Sequence, residues 1–276
     1  MDSIAFIVNP ERSDARFHAS RIEETFRRNG TRIFYPQRGE AQDRCSMVIS
    51  FGGDGTLLMG AREAMRYDCP LLGINLGNVG FLTEGEPDQM DRIIRRVLDG
   101  DYKLEDRRLL RVHVQGEKES YSALNDAVVT RGGFARLIRV ETGVNGEHWG
   151  TFTADGMIAA TPTGSTGYSL SAGGPIIAPG VDCIVITPVC AHSLQHCPCI
   201  VPMDADVEFR LSMDREQRAE LQIDGQNVRM LHAGDCVQIK GADEVLRLVR
   251  MEDYRFFNVL KTKLDEWSRY READRR

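Results

Sequence analysis

In the first hundred residues, short apolar runs alternate with amphipathic stretches. Three runs, at residues 4–8, 47–51 and 71–75, have the length and composition of buried strands. Predicted helices lie between and after these strands. The first has Ser13 as a candidate cap and ends at Gly30, and its apolar residues at helical spacing are Ala15, Ala19, Ile22 and Phe26. Further helices are predicted at 56–65 and 87–98. Strands that alternate with helices predict a parallel sheet with helices on its faces.

After about residue 100 the pattern changes to strands with few helical stretches between them. The predicted strands are Leu109–Val114, Ser122–Val129, Leu137–Thr142, Ile184–Thr187, Val207–Leu211, Glu220–Ile223, Val237–Lys240 and Val245–Val249. Residues 144–147 carry an Asn-Gly hairpin signal. We therefore predict an α/β domain over 1–100 and an all-β domain over 101–250. A helical segment over 251–276 is predicted to return to the first domain.

Composition narrows the classes of partner. The 276 residues include 35 basic and 41 acidic side chains, a net charge of −6, which argues against nucleic acid or an anionic membrane as the main partner. No leader peptide or membrane-spanning segment is evident, and the seven scattered cysteines are typical of reduced thiols in a cytoplasmic protein. His192, His196, Cys197 and Cys199 form the densest group of potential metal ligands, but ordinary thiols explain them better.

A glycine-rich turn follows the second predicted strand and precedes a helix, the place where α/β proteins bind ligands. It consists of Gly52, Gly53, Asp54, Gly55 and Thr56. Glycines let backbone N–H groups approach a phosphate, but a carboxylate there would repel it unless it holds a metal or accepts a proton. The alternative is a tight turn in which Asp54 caps the helix.

Two further features are polar segments in unexpected places. Residues 156–180 contain no charged residue and are rich in glycine and hydroxyl groups, which makes them poor core material but suits hydrogen bonds to a ribose or a base. The alternative is a long solvated loop. Asn125 and Asp126 interrupt an apolar strand pattern, either to bind a polar ligand or because the strand edge faces water. Asp155-Gly156 and Asp224-Gly225-Gln226 have the composition of turns.

Taken together, these stretches resemble the NAD kinase family in its bacterial form. The resemblance rests on Gly-Gly-Asp-Gly-Thr at 52–56, Gly-Ile-Asn-Leu-Gly-Asn-Val-Gly-Phe-Leu-Thr-Glu at 73–84, Asn-Asp at 125–126, Asp-Gly at 155–156, the fifteen residues from Thr161 to Pro175, and His-Ser-Leu at 192–194. It extends from near residue 4 to about Trp267. The 161–175 stretch is the specific motif, since lipid kinases and phosphofructokinases carry turns like the first one.

The resemblance implies a Rossmann-like sheet in the α/β domain and an ATP:NAD 2′-phosphotransferase that uses Mg²⁺ or another divalent metal. Asp54 would be the general base that activates the ribose 2′-hydroxyl. The implied ligand contacts are Gly52, Gly53, Gly55, Thr56, Asn75, Phe81, Asn125, Asp126, Arg136, Asp155, Thr161, Thr163, Thr166, Gly167, Tyr168, Ser169, Ser171 and Gln226. No metal-ligating residue is assigned.

The resemblance also implies a homodimer or homotetramer, and leaves open ATP or polyphosphate as the phosphate donor. Two other functions remain as alternative hypotheses. One is a lipid kinase of the diacylglycerol or sphingosine type with the same turn, and the other is a nucleotide-sensing module without catalysis. An amphipathic membrane helix with a basic face would favour the first, and the sequence has none that we identify.

Overall fold

The computed structural model describes residues 2–77, 80–85, 87–133, 136–192, 197–214, 217–251 and 256–273. The chain forms two compact units: the first unit is Met1–Asp106 with Leu246–Arg276, and the second unit is Arg107–Val245. The predicted domains 1–100, 101–250 and 251–276 stay predictions, because compactness alone does not show that a unit folds independently.

The helices and strands alternate at first and are then almost all strands. Up to residue 114 they are β1 (Ser3–Val8), α1 (Ser13–Arg28), β2 (Arg32–Phe34), β3 (Met47–Gly52), α2 (Asp54–Tyr67), β4 (Leu71–Asn75), α3 (Met90–Asp99) and β5 (Lys103–Val114). Then follow β6 (Ser120–Ala123), β7 (Asp126–Arg131), β8 (Ile138–Val144), β9 (Glu147–Ala154), β10 (Gly156–Ala160), α4 (Tyr168–Ser171), β11 (Cys183–Val189), β12 (Cys199–Pro202), β13 (Val207–Leu211), β14 (Ala219–Ile223), β15 (Gln226–Leu231), β16 (Cys236–Arg250) and α5 (Phe256–Ala273).

The first unit contains a parallel sheet in the order β2-β1-β3-β4, to which the last part of β16 adds through the pair Leu248–Leu71. The predicted strands and the buried stripe of α1 are confirmed. Two details were wrong. Ser13 is the first residue of α1 and makes no capping hydrogen bond, since Arg12 occupies the cap position. The helix predicted from residue 87 begins at Met90.

The tail helix α5 is part of the first compact unit. The ring of Phe256 lies 6.2 Å from that of Phe81, whereas Phe257 is exposed. Among the helices of the described residues, none combines the length and the apolar composition needed to cross a membrane.

In the second unit, one antiparallel sheet has the order β12-β11-β10-β7-β14-β15. Strands β16, β13, β8 and β9 form an antiparallel run, and β5 pairs with β6. A single apolar core includes residues of both groups, such as Val112, Ala159, Phe209 and Leu221. The Asn-Gly turn between β8 and β9 is confirmed, since Asn145 and Gly146 have φ values of 51° and 78°.

Several strand predictions in this unit need correction. The predicted strand Ser122–Val129 is two strands, because the chain turns at Leu124 and Asn125 and changes sheet. The two strands predicted at 237–240 and 245–249 are one long strand, β16. Four strands were not predicted, namely β9, β10, β12 and β15. Gly150 breaks the alternation in β9 and Arg229 breaks it in β15, so hydrophobic periodicity gives a weak signal there. β12 has only four residues and ends at a proline, and β10 begins the segment that was interpreted as polar.

Candidate active site

The glycine-rich turn of the first unit lies where β3 ends at Gly52 and α2 begins at Asp54. It therefore stands at the carboxyl end of a central parallel strand, at the amino end of a helix. Gly52 has no room for a side chain, because a Cβ there would lie 2.8 Å from the Cβ of Thr56 and still closer to its hydroxyl oxygen. The Thr56 side chain is itself buried, so its contact with Gly52 fixes the shape of the turn.

The Asp54 carboxylate is held by the backbone of a distant segment. Its Oδ2 accepts the Phe81 N–H at 2.9 Å, and its Oδ1 accepts the Leu82 N–H at 3.1 Å. The alternative that Asp54 caps α2 is wrong, because Gly53 occupies the cap position and no side chain caps this helix. The structure thus gives Asp54 a fixed direction that a simple turn does not require.

Gly80 lies so close to this carboxylate that it leaves no room for a side chain. A Cβ on Gly80 would overlap Asp54 Oδ1, lie 3.0 Å from Asp54 Cγ, and lie 2.5 Å from the hydroxyl oxygen of Thr83. That hydroxyl is buried without a hydrogen-bond partner among the described residues. The motif at 73–84 therefore supplies the surroundings of Asp54, a relation that sequence spacing did not reveal.

Asn75 and Phe81 lie in the same region of the first unit. Asn75 is the last residue of β4 and is buried. Its side-chain NH2 donates to the Gly77 carbonyl at 3.0 Å, and its side-chain oxygen accepts the Gly77 N–H at 3.2 Å. Phe81 donates its N–H to Asp54 and is buried. Asn78 and Val79, in the middle of this motif, lie outside the described residues.

In the second unit, Thr161 joins two segments that are far apart in sequence. Its hydroxyl donates to the Leu124 carbonyl at 2.6 Å, and its N–H donates to the Asn125 carbonyl at 2.8 Å. The same hydroxyl accepts the Gly164 N–H at 3.1 Å. The polar pair at 125–126 and the start of the 161–175 motif are therefore neighbours.

The hydroxyl-rich segment is a compact turn and not a solvated loop. Residues 156–160 are the buried strand β10, and Thr161, Ser165 and Ser169 are fully buried, so the interpretation as poor core material was wrong for these positions. Ser165 donates to the Pro162 carbonyl and accepts the Ile177 N–H, and Ser169 hydrogen-bonds Thr187. These internal hydrogen bonds satisfy the hydroxyls and fix the turn.

Asn125, in the segment that Thr161 binds, has a side-chain acceptor that no described residue uses. Its side-chain oxygen is buried and has no hydrogen-bond partner among the described residues. Its amide nitrogen is close to Gly167: a Cβ added to that glycine would lie 3.9 Å from it. A buried unsatisfied acceptor costs free energy, and a bound ligand that donates to it removes that cost.

Asp126 is buried rather than facing water, so the strand-edge interpretation is wrong for this residue. Burial, together with the nearby charge of Asp224, raises the pKa of Asp126 to about 7. An aspartic acid with such a pKa is partly protonated near neutral pH and can donate as well as accept a hydrogen bond.

We expect the raised pKa of Asp126 to make stability depend on pH. The folded protein binds this proton more tightly than the unfolded chain does. The contribution of Asp126 to the unfolding free energy is therefore most favourable below the usual aspartate pKa, and it is lost as the pH rises from about 4 through the folded pKa near 7. Replacing Asp126→Asn removes that loss, and the difference in unfolding free energy between variant and wild type should move in favour of the variant by about 1–3 kcal/mol from pH 5 to pH 8.

Urea unfolding at the two pH values measures this difference. The control is Asp182→Asn, at an exposed carboxylate that pairs with Arg108 at 3.3 Å. Equal pH slopes for wild type and Asp126→Asn would contradict the expectation.

The remaining predicted contacts of the second unit have different surroundings. Asp155 forms an ion pair with Arg131 at 2.6 Å. The Tyr168 side chain is exposed over part of its surface, and the burial of the remainder raises the pKa of its phenol. Gln226 begins β15, directly after the turn that contains Asp224. Arg136 is exposed and precedes β8, outside the sheet that carries the turn. The other four, Thr163, Thr166, Gly167 and Ser171, lie in the compact turn itself.

The histidine and cysteine group gives no metal site in the part of the chain that is described, where no cluster of three potential ligands occurs. His196 lies outside the described residues, as do Ser193 and Leu194 of the His-Ser-Leu motif. All seven cysteines are free thiols.

Asp224 makes contacts with the segment of Asn125 and Asp126 that sequence analysis did not predict. It was interpreted only as part of a turn, which is confirmed by φ values of 48° for Asp224 and 75° for Gly225. Its carboxylate nevertheless contacts the backbone at 124–126. Residues almost a hundred positions apart offer no local sequence signal for such a contact.

Family models and curated relatives match most of the chain. A family model described as the ATP-NAD kinase N-terminal domain matches residues 36–102, and one described as the ATP-NAD kinase C-terminal domain matches residues 124–251. Curated relatives named NAD kinase include one from Magnetococcus marinus, 44% identical over 82% of this chain and 74% of that protein. Another, from Geobacter sp. strain M21, is 41% identical over 91% of this chain and 89% of that protein.

Solved structures of an NADH kinase and an NAD kinase superpose on this chain. A yeast NADH kinase complexed with NADH superposes with a TM-score of 0.87 at 22% identity, covering 96% of this chain and 88% of that one, which shows a shared fold. An NAD kinase from Archaeoglobus fulgidus in complex with ATP has a TM-score of 0.71 at 25% identity, covering 95% and 98%. The two family models, the high identity of the curated relatives and the shared fold lead to one conclusion: the chain belongs to the NAD kinase family.

Proposed function

We propose that this chain transfers the γ-phosphoryl group of ATP to the 2′-hydroxyl of the adenosine ribose of NAD, forming NADP and ADP. The observation that carries the proposal is the Asp54 carboxylate in the glycine-rich turn, held by the N–H groups of Phe81 and Leu82. A carboxylate at a phosphate-binding turn repels phosphate unless it has a chemical task. Accepting the proton of the attacking hydroxyl is such a task.

The proposed step uses the free lone pairs of Asp54. Each carboxylate oxygen accepts one backbone N–H, and each retains capacity for a further hydrogen bond. As the 2′-oxygen bonds to the γ-phosphorus, its proton passes to Asp54 and the bond from phosphorus to the β,γ-bridging oxygen breaks, so that ADP leaves. Proton removal of this kind contributes about 10²–10⁴-fold to a rate.

The phosphates of ATP are assigned to the turn around Asp54. Gly52, Gly53 and Gly55 leave the backbone open to close approach, and the amino end of α2 offers a favourable dipole. The described residues provide no cluster of three metal ligands. A divalent ion would be held mainly by the substrate's phosphates, as Mg²⁺ commonly is, and would offset their charge.

The dinucleotide contacts are assigned to the second unit. Asn125 offers an unpartnered buried oxygen, Asp126 offers a carboxyl that is partly protonated at neutral pH, and Tyr168 offers an exposed ring. Thr161 and Ser169 act by shaping the turn, because their hydroxyls are fully buried and already bonded. Thr56 and Asn75, which are both buried, have the same indirect role in the first unit. Arg136, Asp155, Thr163, Thr166, Gly167, Ser171 and Gln226 stay candidate contacts.

The test of substrate class uses ATP labelled at the γ-phosphate with Mg²⁺ and either NAD or a diacylglycerol in detergent micelles. We expect label in NADP and none in the lipid. Label in the lipid alone would favour the lipid-kinase alternative, and label in neither would favour the sensor. Repeating the assay with NADH and with polyphosphate determines the preferred acceptor and donor. Homodimer or homotetramer assembly and a cytoplasmic location stay predictions.

A further inference from the structure

The Asp224 carboxylate, at the turn between β14 and β15, collects three consecutive backbone N–H groups. Oδ2 accepts the Leu124 N–H at 2.9 Å, while Oδ1 accepts those of Asn125 and Asp126 at 2.7 and 3.2 Å. In return, the Asp224 N–H donates to the Asp126 carbonyl at 3.0 Å. Asp224 as a whole is only 7% exposed, so these hydrogen bonds are shielded from water.

The segment that Asp224 holds is the one that carries Asn125 and Asp126. On its other side, the carbonyls of Leu124 and Asn125 accept hydrogen bonds from Thr161. The backbone is therefore fixed from both sides, by a carboxylate on its N–H groups and by a threonine on its carbonyls. The direction of the Asn125 side chain depends on both.

We infer that Asp224 is a positioning residue for the dinucleotide: by fixing the backbone of Leu124–Asp126, it sets the directions of the Asn125 amide and the Asp126 carboxyl. The inference rests on the proposed function. It assigns no contact with the substrate to Asp224 itself, whose carboxylate is committed to backbone groups.

The charge of Asp224 has a second consequence. Three N–H donors favour its ionised form, and its negative charge faces the buried carboxyl of Asp126. The Tyr168 phenol, on α4, also interacts electrostatically with Asp126. Asp224 thus favours the protonated form of Asp126, which lets that carboxyl donate a hydrogen bond to a ribose oxygen.

The experiment compares Asp224→Asn with wild type by steady-state kinetics and by calorimetric titration of NAD. The asparagine turns an N–H group toward one of the three backbone donors and removes the charge. We expect the KM and the dissociation constant for NAD to rise at least tenfold, with the KM for ATP and kcat within about threefold of wild type. The pH at which NAD affinity changes should move downward, because the neighbouring charge that raises the pKa of Asp126 is gone. A purely structural defect would reduce the active fraction, and hence the apparent kcat, without either change.

The matched control is Asp235→Asn. Asp235 also accepts a backbone N–H in a turn of the second unit, from His232 at 2.8 Å, and it does not touch residues 124–126. If Asp224→Asn does not fold, Asp224→Glu replaces it, which keeps the charge but displaces the carboxylate; NAD affinity should fall while the pH midpoint stays.

Unchanged NAD affinity and an unchanged pH midpoint in Asp224→Asn would overturn the inference. A wild type that binds NAD but forms no NADP would contradict the proposed function, while the NAD dissociation constants would still test the role of Asp224. A wild type that does not bind NAD would overturn both.

Discussion

Replacing Asp54→Asn is expected to lower kcat for NADP formation by about 10²–10⁴-fold, because the amide cannot accept the proton of the ribose hydroxyl. Shape and volume are nearly kept, and the amide oxygen still accepts one of the two N–H groups that bind the carboxylate. The KM for NAD should therefore stay within a few-fold of wild type. Steady-state kinetics with both substrates varied separates the two effects.

Asp91→Asn is the matched control for this change. Asp91 also stands in the first turn of a helix of the first unit, α3, where its carboxylate pairs with Arg21 at 3.0 Å. We expect its kcat within twofold of wild type. An Asp54→Asn enzyme that keeps more than a tenth of wild-type kcat would contradict the role of Asp54 as the base.

Replacing Gly164→Ala is expected to impair both folding and NAD binding. The added Cβ would lie 2.5 Å from the carbonyl carbon of Asn125 and 2.8 Å from its Cα, and backbone atoms cannot turn aside as a flexible side chain can. Overpacking of this kind costs about 1–3 kcal/mol or more. Since relief requires moving Asn125, the KM for NAD should rise at least tenfold in the folded fraction.

Gly180→Ala tests whether any added methyl in this part of the chain has that effect. Nothing lies within 4 Å of where its Cβ would stand, and its φ is not in the left-handed region. We expect its unfolding free energy within about 1 kcal/mol of wild type and no change in the KM for NAD. Equal behaviour of the two variants in urea unfolding and kinetics would contradict the importance of the contact between Gly164 and Asn125.

The sequence predicted β1, β3 and β4 of the first unit because each contains a continuous apolar run, and it predicted α1 because that helix has one buried stripe. It missed β2, which has only three residues and begins with an exposed arginine. Ala15, Ala19, Ile22 and Phe26 all lie in the core, as their spacing indicates. In the second unit, apolar residues lie on both sides of Asn125 and Asp126 although the chain changes sheet there, so the pattern predicted one strand over Ser122–Val129 instead of two.

The candidate site was harder to predict because its parts meet only after folding. The motif around Asp54 was visible, but the N–H groups that hold its carboxylate come from residues 81 and 82. The hydroxyls of the 161–175 motif were predicted to face a ligand, whereas those of Thr161, Ser165 and Ser169 hold the turn together. Asp224 had no local signal, since its three partners are backbone groups that carry no residue identity.

The most direct test of the central claim is the rate of NADP formation by the purified protein with NAD, ATP and Mg²⁺, read with an NADP-specific dehydrogenase that requires the 2′-phosphate. The account predicts NADP formation that depends on ATP and is nearly lost in Asp54→Asn. Folded wild-type protein that forms no 2′-phosphorylated product from NAD or NADH, with either ATP or polyphosphate, would contradict it.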